Sequence, residues 1–266
     1  MRLAAASLLV HSKGSAPQGL LILEAEKESA RNEAERTNIL LALLEGYSTL
    51  EQHENSLSVA TELAKQYPES ERMFSIQVYD LRALGRWQEA DLLANERLKR
   101  IPGDIASLRA LVSNAISHSD YAKAHALAQN IIDEGKAEPN DLNTIAWFSL
   151  FAGKVESADM KNALKAAELS KNAAYILHTL GCVYAEVGKT KQAREVLIQA
   201  MDALNLDEPD EDYWYAFGRI AEQYGERAVA LSSYARVTKP KKAAEVPDSP
   251  YRLAQIRIEG LRAQEP

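Results

Sequence analysis

The stretch from Leu177 to Ala200, LHTLGCVYAEVGKTKQAREVLIQA, holds two helical patterns separated by a glycine. Leu177, Leu180, Gly181 and Tyr184 recur at i, i+3, i+4 and i+7, the spacing of one face of a helix. Gly188 interrupts that pattern, and five residues later Ala193 opens a second one that continues through Leu197 and Ala200. The stretch reads as helix, turn, helix.

The same design recurs along the chain. Ser56, Ala90, Ala124 and Ala158 are small residues spaced by 34, and the same interval separates Pro68 from Pro102 and Ala60 from Ala94 and Ala128. Earlier first-helix faces are Leu40, Leu43, Leu44, Tyr47 and Leu108, Leu111, Val112, Ala115. The breaks hold Gly85, Gly153 and Gly225, each followed five residues on by Ala90, Ala158 or Ala230. Small side chains let paired helices approach closely, while flanking Leu and Tyr fill the adjoining hollows. Gly181→Leu should therefore overpack a crossing, whereas Gly135, expected at the surface, should tolerate leucine.

Leu180-Gly181-x-x-Tyr184 followed by Gly188, Ala193, Leu197 and Ala200 resembles the tetratricopeptide repeat (TPR), as do Trp214, Phe217, Gly218, Gly225, Ala230 and Tyr234. The period of about 34 is that of the family. Units at 37–70, 71–104 and 105–138 keep the spacing with degenerate residue types, including Gln77 at a usually apolar position. The remaining units fall near 3–36, 139–173, 174–207 and 211–244. In the unit at 139–173 the apolar or small face of Ala163, Ala167 and Ser170 implies an insertion of about five residues between its helices. At the N-terminus, Leu3–Lys13 and Gly19–Glu35 read as a divergent capping pair; the short apolar run Leu3–Val10 also has some character of a signal peptide. Three prolines between Thr238 and Pro250 mark a connector, and Tyr251–Arg262 reads as a final capping helix, so 245–266 is connector and cap.

The expectation is an all-α fold of about six to seven helix-turn-helix repeats, one array over 1–244. The resemblance implies a right-handed superhelix with a concave groove lined by first helices, where TPR arrays hold a peptide or a partner helix.

Composition agrees with a folded helical protein. Of 266 residues, 46% are hydrophobic and 26% charged, near ordinary globular usage, and only 7% are aromatic. A net charge of −7 argues against nucleic acid, and no run reaches the length needed to span a bilayer. Cys182 is the single cysteine, so no internal disulfide forms. A cytoplasmic protein is expected, or a periplasmic one if the chain is part of a longer exported protein.

In register, the inward stripe of first helices carries Tyr79, Arg82, Arg109, Asn143, Trp147, His178, Tyr215 and Arg219; apart from Asn143 these are aromatic and cationic, and Tyr, Trp and Arg are the types most enriched at binding hot spots. These are the candidate partner-binding residues, for a segment with apolar and acidic side chains; packing of Trp147 and Tyr215 on a neighbouring pair is the alternative. No lysine lies on the stripe, which argues against a clamp for the terminal carboxylate of chaperones. His178 and Cys182, four apart, share a helix face, but no further ligand or oxyanion site accompanies them. The run Asp207–Asp212 lacks the EF-hand pattern and reads as a helix cap. His11, His53, His118 and His125 are expected at the surface. No catalytic residue, metal or cofactor is expected.

The sequence thus reads as a non-enzymatic interaction scaffold for another protein. A rival is the TPR portion of a larger enzyme or exported assembly, since Leu142-Asn143-x-x-Ala146-Trp147 and Leu177–Gly181 resemble bacterial TPR regions attached to transglutaminase-like domains. Self-association through the groove or an end cap is a third reading.

Overall fold

A computed structural model describes residues 2–241 and 248–263. Among them are fifteen α-helices and no strand. They follow as consecutive pairs: α1 (Arg2–Leu9) with α2 (Ala16–Lys27), α3 (Glu33–Thr49) with α4 (His53–Gln66), α5 (Glu71–Ala83) with α6 (Trp87–Arg100), and α7 (Ile105–Ser117) with α8 (Tyr121–Asp133). Then come α9 (Pro139–Ser149) with α10 (Ser157–Leu169), α11 (Ala174–Glu186) with α12 (Thr190–Ala203), α13 (Tyr213–Gln223) with α14 (Arg227–Tyr234), and finally α15 (Pro250–Arg262). The all-helical reading and the repeat count hold. The expected connector falls partly on residues 242–247, outside the described residues.

The chain divides into two compact units, Met1–Ala110 and Leu111–Pro266, where one array was expected. The boundary lies within the sequence of α7. Buried side chains of the helices on either side of it are mostly small: Ala90 and Ala94 in α6, Ala124 and Ala128 in α8.

In unit 1 the apolar stripe of α3 is the centre of the core. Leu40, Leu43, Leu44 and Tyr47 are buried with Ala6 and Val10 from the first turns of the chain and Leu20 and Leu23 of α2. The N-terminal run is thus a packed helix. Helix α2 ends at Lys27, shorter than the expected Gly19–Glu35, because the Asn32 side chain accepts the Glu35 N–H at 2.9 Å and starts α3 at Glu33. Gln77, the polar residue at an apolar position, is buried and donates to Thr61 Oγ1 at 3.0 Å.

In unit 2 the expected crossings are close. A Cβ on Gly181 would lie 2.6 Å from Leu197 Cγ, and one on Gly218 2.5 Å from the Tyr234 ring. Gly135 is exposed with open space around it, but its φ of +68° is left-handed, so leucine there costs about 1–2 kcal/mol rather than little. The period is also visible in the backbone. Glu51, Gly85, Ser119 and Gly153 all take positive φ at the turn after a first helix, although two of them are not glycine.

Ala158 is exposed, against the strict period. Residues 150–156 connect α9 to α10, compared with 187–189 and 224–226 in the next two pairs, in line with the expected insertion. The start of α10 is fixed instead by a capping box, in which Asp159 accepts the Glu156 N–H at 2.8 Å, and Ala163, Ala166 and Ala167 form the buried face.

Candidate functional site

The first-helix stripe behaves differently in the two units. In unit 1, Tyr79 of α5 is 63% exposed. Its ring stands edge-on to His53, with centroids 5.6 Å apart, and His53 Nδ1 lies 2.9 Å from Asp80 Oδ1. One turn on, the half-buried Arg82 sits over the Trp87 ring at 5.5 Å, and its Nε is buried without a hydrogen-bond partner. Burial holds the Arg82 guanidinium below its ordinary value, and among the described residues no carboxylate pairs with it to oppose the shift. Arg109 on α7 is half-buried.

In unit 2 most of the stripe, Asn143 apart, is engaged by contacts within the unit. Trp147 is half-buried and its Nε1 donates to the backbone carbonyl of Asp248 at 2.8 Å. The half-buried His178 stacks obliquely between Trp147 and Tyr213, with ring centroids 5.9 Å and 4.8 Å away, and its Nε2 lies 3.2 Å from the Asp212 carbonyl. Asn143 is half-buried, with Oδ1 buried and unbonded.

Tyr215 and Arg219 do not line an open surface. They are 1% and 4% exposed. Arg219 donates to Glu186 at 2.7 Å (Nε) and 3.2 Å (Nη2), and its Nη1 lies 2.9 Å from Glu222. Burial disfavours the Arg219 charge, but Glu186 overrides it and holds the guanidinium protonated. Tyr234 donates to Glu222 at 2.7 Å, and Arg257 of α15 pairs with the same carboxylate. Sequence spacing placed Tyr215 and Arg219 on the right stripe but could not show that this buried ion cluster would cover it. Glu186, Glu222 and Arg257, its other members, look like ordinary helix-surface charges in sequence.

The His178–Cys182 pair has no reactive character. Sγ lies 3.6 Å from His178 Nε2, but Cys182 is fully buried and burial pushes its thiol far up, away from the thiolate a nucleophile requires. Burial likewise lowers the His178 imidazole against the Asp212 carbonyl. Two histidines expected at the surface are partly buried and paired with acids: His53 with Asp80, and His125 Nε2 with Asp159 at 3.0 Å. Asp210 Oδ1 accepts the N–H groups of Asp212 and Tyr213 at the start of α13, as the capping reading of the acidic run requires. Among the described residues no group of His, Cys, Asp or Glu could hold a metal ion, and no helix is long and apolar enough to cross a membrane.

Solved structures resemble the chain over most of its length. A tetratricopeptide repeat protein from Parabacteroides merdae is 15% identical, with 95% of this chain and 97% of that one covered and a TM-score of 0.62. This chain has the TPR fold. PilF of Pseudomonas aeruginosa matches 87% of the chain over 99% of its own length, at 12% identity and a TM-score of 0.55. YrrB, described as a TPR protein with an unusual peptide-binding site, matches 75% of the chain over 97% of its own, at 13% identity and a TM-score of 0.54. No family model and no curated protein sequence matches the chain. Within the TPR frame, Tyr79, Trp147, Cys182 and Arg219 occupy one recurring first-helix position, and of these four Tyr79 alone is exposed.

Proposed function

We propose that this chain is a non-catalytic scaffold that holds a peptide or helix of a partner protein on the first-helix face of unit 1. The observation carrying this reading is the 63% exposure of Tyr79 at a position that is covered in α9, α11 and α13. A large aromatic ring left in water one helical turn from an arginine is the composition of an interface hot spot. Arg82, one turn further along α5, extends that face, whereas Trp147, His178, Tyr215 and Arg219 serve the interior of unit 2. The net charge of −7 favours a protein partner over nucleic acid. The TPR fold supports the reading, and YrrB offers a peptide-binding precedent in the same fold.

A short segment held this way binds at about micromolar strength, near −8 kcal/mol. The test is affinity capture from native lysate on the immobilised full chain, with Tyr79→Ala bait in parallel. A protein retained by the unaltered chain and lost from the variant is expected. Identical retention on both would refute this face as the binding surface.

A further inference from the structure

Helix α5 carries two arginines in different electrical situations. Arg72 reaches Glu45 of α3 and forms an ion pair. Arg82 has no such partner: among the described residues no carboxylate pairs with it, its Nε is buried and unbonded, and its guanidinium plane rests near Trp87. The nearest acid in sequence, Asp80, is turned to His53, and that histidine in turn braces the exposed Tyr79 ring. The result is a partly desolvated cation one helical turn from an open aromatic face.

A guanidinium in that condition attracts an incoming carboxylate more strongly than a fully hydrated one, because the medium around it screens less. Its planar fork suits the two oxygens of a carboxylate, and part of its hydration is already lost in the folded chain. Tyr79, three residues back on the same face, offers apolar contact area alongside. We propose that the Tyr79–Arg82 face of α5 binds its partner through an Asp or Glu side chain that pairs with Arg82, flanked by an apolar residue lying on Tyr79. The occupant is an internal acidic side chain rather than a chain terminus, since a terminal carboxylate favours several cations at once and, among the described residues, Arg82 is the one arginine of α5 without a carboxylate partner. This inference rests on the scaffold reading above and names the chemistry of its partner.

The test uses phage-displayed random peptides of about a dozen residues, panned on the full chain and counter-selected on an Arg82→Met variant. Recovered peptides are then synthesised with amidated C-termini and measured by fluorescence anisotropy, beside versions with Asp or Glu replaced by Asn or Gln. The expected peptides carry an acid within two residues of an aromatic or leucine. The amide versions, the Tyr79→Ala chain and the Arg82→Met chain should each lose about tenfold in affinity. Amide peptides on Arg82→Met should lose little more, because both changes remove the same pair. If Arg82→Met proves unfolded by circular dichroism, the peptide substitution on the unaltered chain decides alone. Peptides that bind without an acid, or equally to both chains, would overturn the carboxylate assignment and leave the scaffold reading standing. Peptides that require a free C-terminal carboxylate would overturn the choice of an internal side chain. Selection of no peptide at all would overturn both readings.

Discussion

The same change, glycine to alanine, should destabilise unit 2 at one helical position and stabilise it at another. A Cβ on Gly218 would lie 2.5 Å from Tyr234 Cε1, 2.6 Å from Cδ1 and 3.1 Å from Cζ. Carbon atoms in contact prefer about 3.5–4.0 Å, so the ring must retreat by roughly an ångström. It has little freedom to do so. Tyr234 is fully buried, and its hydroxyl donates to Glu222, which Arg219 and Arg257 also hold. Overpacking of this kind costs about 1–3 kcal/mol, and a weakened hydrogen bond to the carboxylate adds to it, against a gain of about 1 kcal/mol in helix propensity. The net expectation for Gly218→Ala is a loss of about 1–3 kcal/mol. Gly260 is exposed within α15, and a methyl group added there would meet nothing within 4 Å, so Gly260→Ala should gain up to about 1 kcal/mol. The assay is urea denaturation followed by tryptophan fluorescence in a Trp87→Phe background, which leaves Trp147 and Trp214 of unit 2 as reporters. Midpoints that rise for both alanines, or fall equally, would refute the close crossing on which the repeat register stands.

Three further outcomes follow from the same interior. Arg219→Met should cost about 3–5 kcal/mol in the same fluorescence assay, because it leaves Glu186 and Glu222 without their shared cation; a cost below about 1 kcal/mol would contradict the packing described. Burial would raise the Glu222 carboxyl, but hydrogen bonds from Arg257 and Tyr234 and the charge of Arg219 hold it below its ordinary 4.5. A carboxylate held down in the folded state adds stability that is whole above about pH 4.5 and is lost as pH falls through its folded value. Unit 2 should therefore weaken below that point, and Glu222→Gln should flatten the decline. Finally, Cys182 should resist Ellman's reagent until unit 2 opens, so its labelling rate should follow urea concentration as unfolding does. Immediate labelling of the folded chain would place the thiol at the surface.

The helices were legible because their signal is periodic and local. Leu40, Leu43, Leu44 and Tyr47 declared a core face by spacing alone, and all four are buried. Gly181 and Gly218 declared the crossings because nothing larger fits beneath Leu197 and Tyr234. The candidate site was less legible, because exposure depends on what lies across the stripe. Arg82 and Arg219 look equivalent in sequence, yet among the described residues Arg219 meets two carboxylates and Arg82 meets none. The turn residues Glu51 and Ser119 escaped notice for a related reason: the backbone is left-handed there without the glycine that usually announces it. Ala158 misled because a capping box at Glu156 and Asp159, rather than the period, decides where α10 begins.

The hydrogen bond from Trp147 to the Asp248 carbonyl spans 101 positions in sequence. Repeat proteins ordinarily grow outward from any seed, each module needing only its neighbour to become ordered. This bond reaches past the neighbouring modules to the residue two before α15, and closing it adds a loop-closure cost that contacts between adjacent modules escape.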